Sequence, residues 1–225
     1  MLINADFSLP AIVGPEEYRW VTSPRAGVSR MMLDRIGDEC ARATSIVKYQ
    51  PGSAFSRHAH PGGEEIFVLD GVFSDETGDY PAGWYLRNPP GSSHSPSSRD
   101  GATIFVKLQQ MSPADSATVR IDTRDASNWH TQPGRRVCHL YARGREHVAL
   151  LAVDGRQVIL PAWQGCIELL VIDGAVRLGQ SRYVAGSWLR LPVEHHGTDL
   201  MADDDTTVLL KTGVVPCVAD GRGAA

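Results

Sequence analysis

Long hydrophobic runs are missing from this 225-residue chain. No run of about eighteen apolar residues occurs, which excludes a membrane-spanning helix. The first twenty residues carry neither a basic segment nor a sustained apolar core, so we expect no secretory signal. These absences predict a soluble, cytoplasmic protein with no membrane partner.

A concentrated basic stripe is also missing. The chain has 22 Lys and Arg residues against 26 Asp and Glu residues, a net charge of -4. Its densest basic clusters are short: Arg135 with Arg136, and Arg143 with Arg145. A surface that binds phosphates usually concentrates its positive charge. We therefore expect no nucleic-acid partner.

Cysteines are few and unpaired in the sequence. The four are Cys40, Cys138, Cys166 and Cys217, and none forms a CxxC pair. Four cysteines in a chain of this length do not make a disulfide scaffold. We expect reduced, mostly buried thiols, which agrees with a cytoplasmic protein.

Sustained helical periodicity is absent too, and short β-rich segments take its place. Glycine or proline interrupts the chain at intervals of roughly eight to twelve residues. Many short strands at even spacing indicate an all-β sandwich or barrel. One short helical turn is expected near Pro15–Trp20. The clearest strand segments are 64–73, 101–111, 147–155, 166–178, 182–192 and 206–215.

The second half of the chain repeats the first at an offset of 103 residues, the spacing between Gly52 and Gly155. After Pro89 the register slips by one residue, so Lys107 corresponds to Lys211. The other shared positions are Glu65 and Glu168, Asp70 and Asp173, Gly71 and Gly174, Tyr80 and Tyr183, Ala82 and Ala185, Gly83 and Gly186, Leu86 and Leu189, Arg87 and Arg190, and Pro89 and Pro192.

This repeat predicts two tandem β-barrels. The first domain, 1–112, carries the candidate site. The polar segment 113–135 is the connection, and 136–218 is the second, degenerate domain. The centre of the connection reads TVRID at 118–122, a strand that either half could accept.

The first copy contains a cluster of metal-ligating residue types. His58 and His60 are two residues apart, so they lie on one face of a strand. The turn at 61–63 brings Glu64 back towards them, and His94 follows a second turn. Three imidazoles and one carboxylate suit one divalent transition metal ion, Zn, Fe, Mn, Ni or Co. They do not suit Ca²⁺ or Mg²⁺, which prefer oxygen ligands.

Two motifs in this region resemble those of the cupin superfamily. They read G-x5-HxH-x3-E-x6-G and G-x5-PxG-x2-H. Ser98 occupies a position where the longer second motif often has Asn. The resemblance implies a jelly roll, the double-stranded β-helix of RmlC-like proteins. It also implies that His58, His60, Glu64 and His94 are the metal ligands. The motif positions are Gly52, His58, His60, Glu64, Gly71, Gly83, Pro89, Gly91 and His94.

Residues 60–94 and their flanks are similar to the cupin-like domain of ChrR-type anti-sigma factors, a zinc-binding sensor. The likeness covers about residues 20–111 strongly and 136–215 weakly. ChrR proteins also have an N-terminal helical domain that binds a sigma factor and holds zinc. This chain shows no such helical segment and no HxxxCxxC motif. We therefore expect a sensor-like bicupin that does not bind a sigma factor through that interface.

The second copy has lost the ligand types. At the same offset, the three histidines are replaced by Pro161, Trp163 and Gly197, and the glutamate is replaced by Ile167. No histidine lies between residues 148 and 194. We expect a metal-free second barrel with a structural or ligand-binding role.

Glu65 is the alternative to Glu64 as a ligand. Because Glu168 repeats it in the copy without the histidines, we expect Glu65 to form a cross-strand hydrogen bond or ion pair instead. Strand alternation places Ile66 inward with Glu64, and Phe67 outward. Outward apolar side chains predict packing between the two barrels or between subunits of a homodimer.

The remaining histidines predict no second metal site. His195 and His196 are adjacent, so they point to opposite faces of a strand. His130, His139 and His147 stand alone in the sequence.

Three functions are compatible with this sequence. The first is a metal-binding sensor of a small molecule or an oxidant, with zinc favoured. The second is an Fe(II) dioxygenase resembling the acetylacetone-cleaving type, or another metal-dependent cupin enzyme such as an isomerase or decarboxylase. The third is an interaction module that uses the second barrel. No catalytic residue is identified by the sequence.

Overall fold

The computed structural model describes residues 1–23, 26–38, 41–160, 165–192, 199–203 and 205–214. Within these ranges the regular structure is strand, apart from 3₁₀ turns at Pro15–Glu17 and Ala126–Asn128. The all-β prediction is confirmed, and so is the short helical turn after Pro15. No helix among the described residues is long and apolar enough to span a bilayer.

Fourteen strands form from the described residues before position 123. They are β1 Leu2–Ile3, β2 Ala11–Val13, β3 Trp20–Thr22, β4 Val28–Ile36, β5 Arg42–Tyr49, β6 Ser53–Ala54, β7 His58–His60, β8 Glu64–Asp75, β9 Gly78–Pro81, β10 Trp84–Asn88, β11 Ser92–His94, β12 Ser97–Ser98, β13 Ala102–Leu108 and β14 Val119–Asp122.

Ten further strands follow in the described part of the second half. They are β15 Trp129–Gln132, β16 Arg135–Arg143, β17 Glu146–Val153, β18 Val158–Leu160, β19 Cys166–Asp173, β20 Ala175–Leu178, β21 Ser181–Val184, β22 Trp188–Leu191, β23 Leu200–Ala202 and β24 Thr206–Val214.

The first half is an antiparallel jelly roll. Its large sheet has the order β1-β4-β5-β13-β8-β10-β14, and β7 pairs with β11 in a separate two-stranded ribbon. The connection strand β14 pairs with β10. The TVRID segment therefore joins the first half, which resolves the alternative that the sequence left open.

The second half repeats this architecture with sheets ordered β15-β16-β17-β24-β19-β22-β2 and β18-β23-β20-β21. Its last edge strand, β2, comes from the N-terminus and pairs with β22. Arg190 on β22 also donates to the carbonyls of Asn4 and Asp6. The boundaries at 1–112, 113–135 and 136–218 stay predictions of the repeat, and the N-terminal strand crosses between the two units.

Three apolar clusters fill the molecule. One lies inside the first barrel and includes Ile66 and Val68, and a second fills the other barrel. The third joins Phe67 and Phe105 of the first half to Leu170 and other apolar residues of the second. Phe67 is only 4% exposed there. The predicted packing of one barrel against the other is confirmed, and it follows from strand alternation.

Two of the four cysteines lie in the described ranges. Cys138 and Cys166 are buried free thiols, as expected, and burial raises the pKa of each to about 11. Cys40 and Cys217 lie outside the described residues.

Candidate metal centre

The three motif histidines meet on the ribbon of β7 and β11. The antiparallel register places His94 opposite His58 and Ser92 opposite His60. The ring centroids are 4.9 Å apart for His58 and His60, 5.2 Å for His58 and His94, and 4.8 Å for His60 and His94. One ring nitrogen from each lies within 4.8 Å of the other two. This spacing suits three ligands of one ion.

Glu64 faces the same point. It begins β8 after the turn at 61–63, and its Oε2 lies 3.5 Å from His60 Nε2 and 3.4 Å from His94 Nε2. Gly63 has a φ of 78°, and a Cβ there would lie 3.1 Å from the Asn88 carbonyl oxygen. The tight turn therefore requires glycine, and it returns the carboxylate to the histidines.

Neighbouring groups fix the orientation of these side chains. His94 Nδ1 lies 3.4 Å from Asp75 Oδ2, and His58 Nδ1 lies 3.2 Å from the Ser56 carbonyl oxygen. Because Nδ1 of His94 has a polar partner, its Nε2 is available to a ligand. This is the usual arrangement of metal-binding histidines.

The carboxylate has its own support from β10 and β14. Asn88 Nδ2 donates to Glu64 Oε2 at 3.0 Å, and Arg120 Nη2 donates to Asn88 Oδ1 at 2.7 Å. Arg120 Nε in turn donates to the Tyr80 hydroxyl at 3.2 Å. A chain of hydrogen bonds thus runs from the predicted connection segment to Glu64.

Two of the ring nitrogens that face the centre have no hydrogen-bond partner. Both His60 Nε2 and His94 Nε2 are buried and unsatisfied. Buried polar atoms are nearly always paired, so an unsatisfied pair that faces a carboxylate calls for a cation between them. The donor set of imidazole nitrogens and one carboxylate fits a transition metal ion.

The electrostatics of the site follow from burial and close contacts. Burial, with the neighbouring His94 and His58, lowers the pKa of His60 to about 3. Burial lowers the pKa of His94 as well, but the Asp75 hydrogen bond and the Glu64 charge outweigh it and raise that pKa above its ordinary value. Burial raises the pKa of Glu64. His60 is therefore neutral over the physiological range, with a lone pair available for coordination.

Glu65 points away from the histidines. Its Oε2 accepts hydrogen bonds from Arg87 Nη1 at 2.9 Å and from Lys211 Nζ at 2.6 Å. In the second half, Glu168 accepts from Lys107 Nζ at 2.5 Å and from Trp188 Nε1 at 2.7 Å. The predicted ion pair of Glu65 is confirmed.

The other histidine predictions have mixed outcomes. His130 and His139 have ring centroids 5.8 Å apart, which their isolation in the sequence did not predict. The histidine trio is nevertheless the one grouping of possible metal ligands found among the described residues. His195, His196, Pro161, Trp163 and Gly197 lie outside the described residues.

Within the second half, Ile167 replaces Glu64. It is fully buried and lies opposite Leu191 in the sheet, where the first half pairs Glu64 with Asn88. An apolar pair therefore takes the place of a polar one.

The supporting residues Asp75, Asn88 and Arg120 were not identified from the sequence. Asn88 had one available signal, since it directly precedes Pro89 in the second motif. Asp75 and Arg120 had none, because their partners become neighbours only when the strands pair.

Comparison with known proteins identifies the first half. A sequence model described as the ChrR cupin-like domain matches residues 9–112. Residues 9–112 are therefore similar to the ChrR cupin-like domain, and the match covers somewhat less than half of the chain. No curated protein matches the chain by sequence.

Solved structures extend the likeness of this chain beyond the matched segment. The bacterial pirin of Escherichia coli in complex with nickel(II) superposes with a TM-score of 0.67 at 14% identity, covering 91% of this chain and 98% of the pirin. A putative glyoxylate-induced protein of Pseudomonas aeruginosa gives 0.70 at 15% identity, covering 94% and 90%. A putative dioxygenase of Nostoc punctiforme gives 0.66 at 16% identity, covering 100% and 86%. These likenesses show that both halves have the cupin jelly-roll fold.

Proposed function

We propose that this bicupin binds one divalent transition metal ion through His58, His60, His94 and Glu64, and responds to a small molecule or oxidant at that ion. The observation that carries the proposal is the pair of buried, unsatisfied nitrogens on His60 and His94, both within 3.5 Å of Glu64 Oε2. Among the described residues, neither of these two nitrogens has a hydrogen-bond partner that would compete with a metal ion.

Zinc is the favoured metal, and iron, manganese and nickel are the others that the donor set suits. The zinc-binding role of ChrR cupin-like domains supports this choice, and the nickel complex of the similar pirin supports the wider class. We further propose a cytoplasmic protein whose partner is a small molecule. A homodimer is compatible with this role, and a sigma factor would need a different interface from that of ChrR.

The metal would supply Lewis acidity to an oxygen or sulfur group of the bound molecule. The protein's part is to hold the ligands in place. Asp75 fixes the ring of His94, and the Ser56 carbonyl fixes that of His58. Asn88, held by Arg120, keeps the Glu64 carboxylate turned towards the histidines.

An Fe(II) dioxygenase is the second candidate. A cavity of about 340 Å³ reaches His58, His60 and Glu64, which gives a substrate access to the centre. Iron accepts five or six ligands, so four protein ligands leave positions for substrate and O₂. The fold of the putative dioxygenase of Nostoc punctiforme is compatible with this alternative.

Elemental analysis of the purified protein tests the proposal. We expect about one metal ion per chain in the wild type and a loss of nearly all of it in His60→Ala, because a buried ligand is removed. The matched control is His130→Ala, which removes an exposed histidine of the second half and should keep the metal. Equal metal content in His60→Ala and the wild type would contradict the proposal.

Oxygen uptake separates the two candidates. Tightly held zinc without substrate-dependent O₂ uptake supports the sensor. Stoichiometric iron with O₂ uptake on addition of an organic substrate supports the dioxygenase and overturns the sensor.

A further inference from the structure

The cavity beside the histidines has two faces of different chemistry. His58, His60 and Glu64 lie on one side. The inner surfaces of β4, β5 and β13 form the other side, and apolar side chains dominate it. These wall residues are Val28, Ala43, Val47, Ile104, Val106 and Leu108. A bound molecule would therefore contact hydrocarbon over most of its surface and polar groups at few points.

Two arginines interrupt this apolar wall. Arg30 and Arg35 both lie on β4 and both line the cavity. Arg30 lies opposite Val47 and Arg35 lies opposite Ala43 on β5. Side chains five positions apart on a regular strand would point to opposite faces.

An irregularity in β4 brings both arginines to the same face. The pairing with β5 shifts register between Met32 and Asp34. Val47 and Ala43 are four residues apart on β5 and share a face, so their partners Arg30 and Arg35 share it too. The irregular strand thus places both arginines on the face that lines the cavity.

On the outer face of the same sheet, an arginine is held by carboxylates. Arg87 is bound there by the carboxylates of Glu65 and Asp115. Arg35 instead donates to the Asp38 carbonyl oxygen, and Arg30 Nη2 donates to the Ser23 hydroxyl. Glu64 is the one carboxylate among the described residues that line the cavity.

Two arginines and one carboxylate therefore line the cavity among the described residues. A divalent ion at the histidines would add its positive charge to that of the two guanidinium groups. A planar guanidinium matches a carboxylate through paired hydrogen bonds. At roughly 30 Å³ for each non-hydrogen atom, the cavity holds on the order of ten such atoms.

We propose that this cavity binds a small carboxylic acid with an apolar body, whose carboxylate lies against Arg30 and Arg35 while its body contacts the aliphatic wall. The inference deepens the proposed function, since it rests on the same centre and names the class of molecule that reaches it. The apolar wall argues against a sugar, which would leave many hydroxyl groups without partners.

Isothermal titration calorimetry on the zinc-loaded protein tests the inference. The probes are hexanoate and benzoate, each compared with its neutral amide. We expect the wild type to bind each carboxylate about tenfold or more tightly than its amide, because a charged hydrogen bond is lost with the amide. In the double variant Arg30→Gln/Arg35→Gln this preference should disappear while amide binding stays the same.

Two further proteins complete the design. Arg99→Gln, whose side chain is 91% exposed, is the control and should keep the wild-type preference. Arg30→Lys retains the charge without the planar fork and should show a reduced preference. Equal affinity for carboxylate and amide in the wild type, or absence of binding by both, would overturn the inference, and this comparison needs no variant to fold.

Metal content measured on the same samples separates the two proposals. If zinc is bound but carboxylates are not preferred, the inference fails and the metal centre stands. If zinc is not retained but the arginine-dependent preference persists, the inference stands and the proposed function fails.

Discussion

The two halves of the molecule present the same charges to each other and different side chains to their own interiors. On the facing surface, Arg87, Glu65 and Lys107 lie side by side across β10, β8 and β13. The second half repeats this row. Its members are Arg190, Glu168 and Lys211, across β22, β19 and β24.

The lysines of these rows are exchanged. Lys107 lies beside Glu65 in its own sheet but bonds Glu168 of the other half, and Lys211 lies beside Glu168 but bonds Glu65. All four side chains are nearly fully buried. The charged residues on the surface between the halves are therefore the same in both copies. The metal-ligating residues of the barrel interior occur in the first copy only.

We expect the greatest loss of stability when one of the two ion pairs between the halves is removed. Lys107→Met leaves Glu168 buried with the Trp188 indole as its hydrogen-bond donor, and we expect a loss of about 3–5 kcal/mol in the free energy of unfolding. Lys211→Met should cost less, because Glu65 keeps Arg87 as a partner. Urea denaturation measures both. Equal losses would show that the two ion pairs are equivalent despite their different surroundings.

We expect the next largest loss of stability when a carboxylate is introduced into the interior of the second barrel. Ile167→Glu puts an acidic group at a fully buried position opposite Leu191, without the histidines that face Glu64. We expect a loss of about 3 kcal/mol in the free energy of unfolding and no additional metal. Thermal denaturation and elemental analysis are the measurements. A stable variant that binds a second ion would contradict the view that the second interior cannot hold one.

Removal of the metal should affect one half only. If free metal exceeds its Kd a hundredfold, binding stabilises the folded state by about 2.7 kcal/mol, and a chelator removes that stabilisation. Hydrogen exchange should then quicken in β7 and β11 and remain unchanged in β17 and β24. Equal loss of protection in both halves would show that the metal supports the whole molecule.

The smallest effect tests the support of Glu64. Asn88→Leu copies the apolar residue that the second half has at Leu191 and removes the hydrogen bond to Glu64 Oε2. Loss of such a supporting group typically lowers metal affinity about 10- to 100-fold. Competition with a chromogenic chelator measures the affinity, and Arg99→Gln serves as the control. Unchanged affinity would show that Glu64 needs no support from β10.

Much of the fold and of the site was predictable from local patterns. The spacing of His58, His60 and His94 relative to the turns brought the three rings together, and alternation along β8 separated Ile66 from Phe67. Each prediction depended on residues within one strand or one turn. Such relations are encoded locally in the chain.

The parts that escaped prediction depend on partners distant in sequence. The exchange of Lys107 and Lys211 can be predicted only if the relative position of the two sheets is known. From the sequence alone, each lysine could pair with the glutamate of its own sheet or with that of the other sheet. Arg30 and Arg35 share a face only because of the register shift in β4, and no residue type in that strand predicts this shift. The strand at Ala11–Val13 is three residues long, too short for a pattern to indicate its partner.

The pairing of β2 with β22 has a consequence for synthesis of the chain. β2 leaves the ribosome well before β22 and the central strand β24, because it lies far earlier in the chain. The second sheet therefore cannot be completed during synthesis until β24 has emerged. β2 must remain without its sheet partner until β22 has been made.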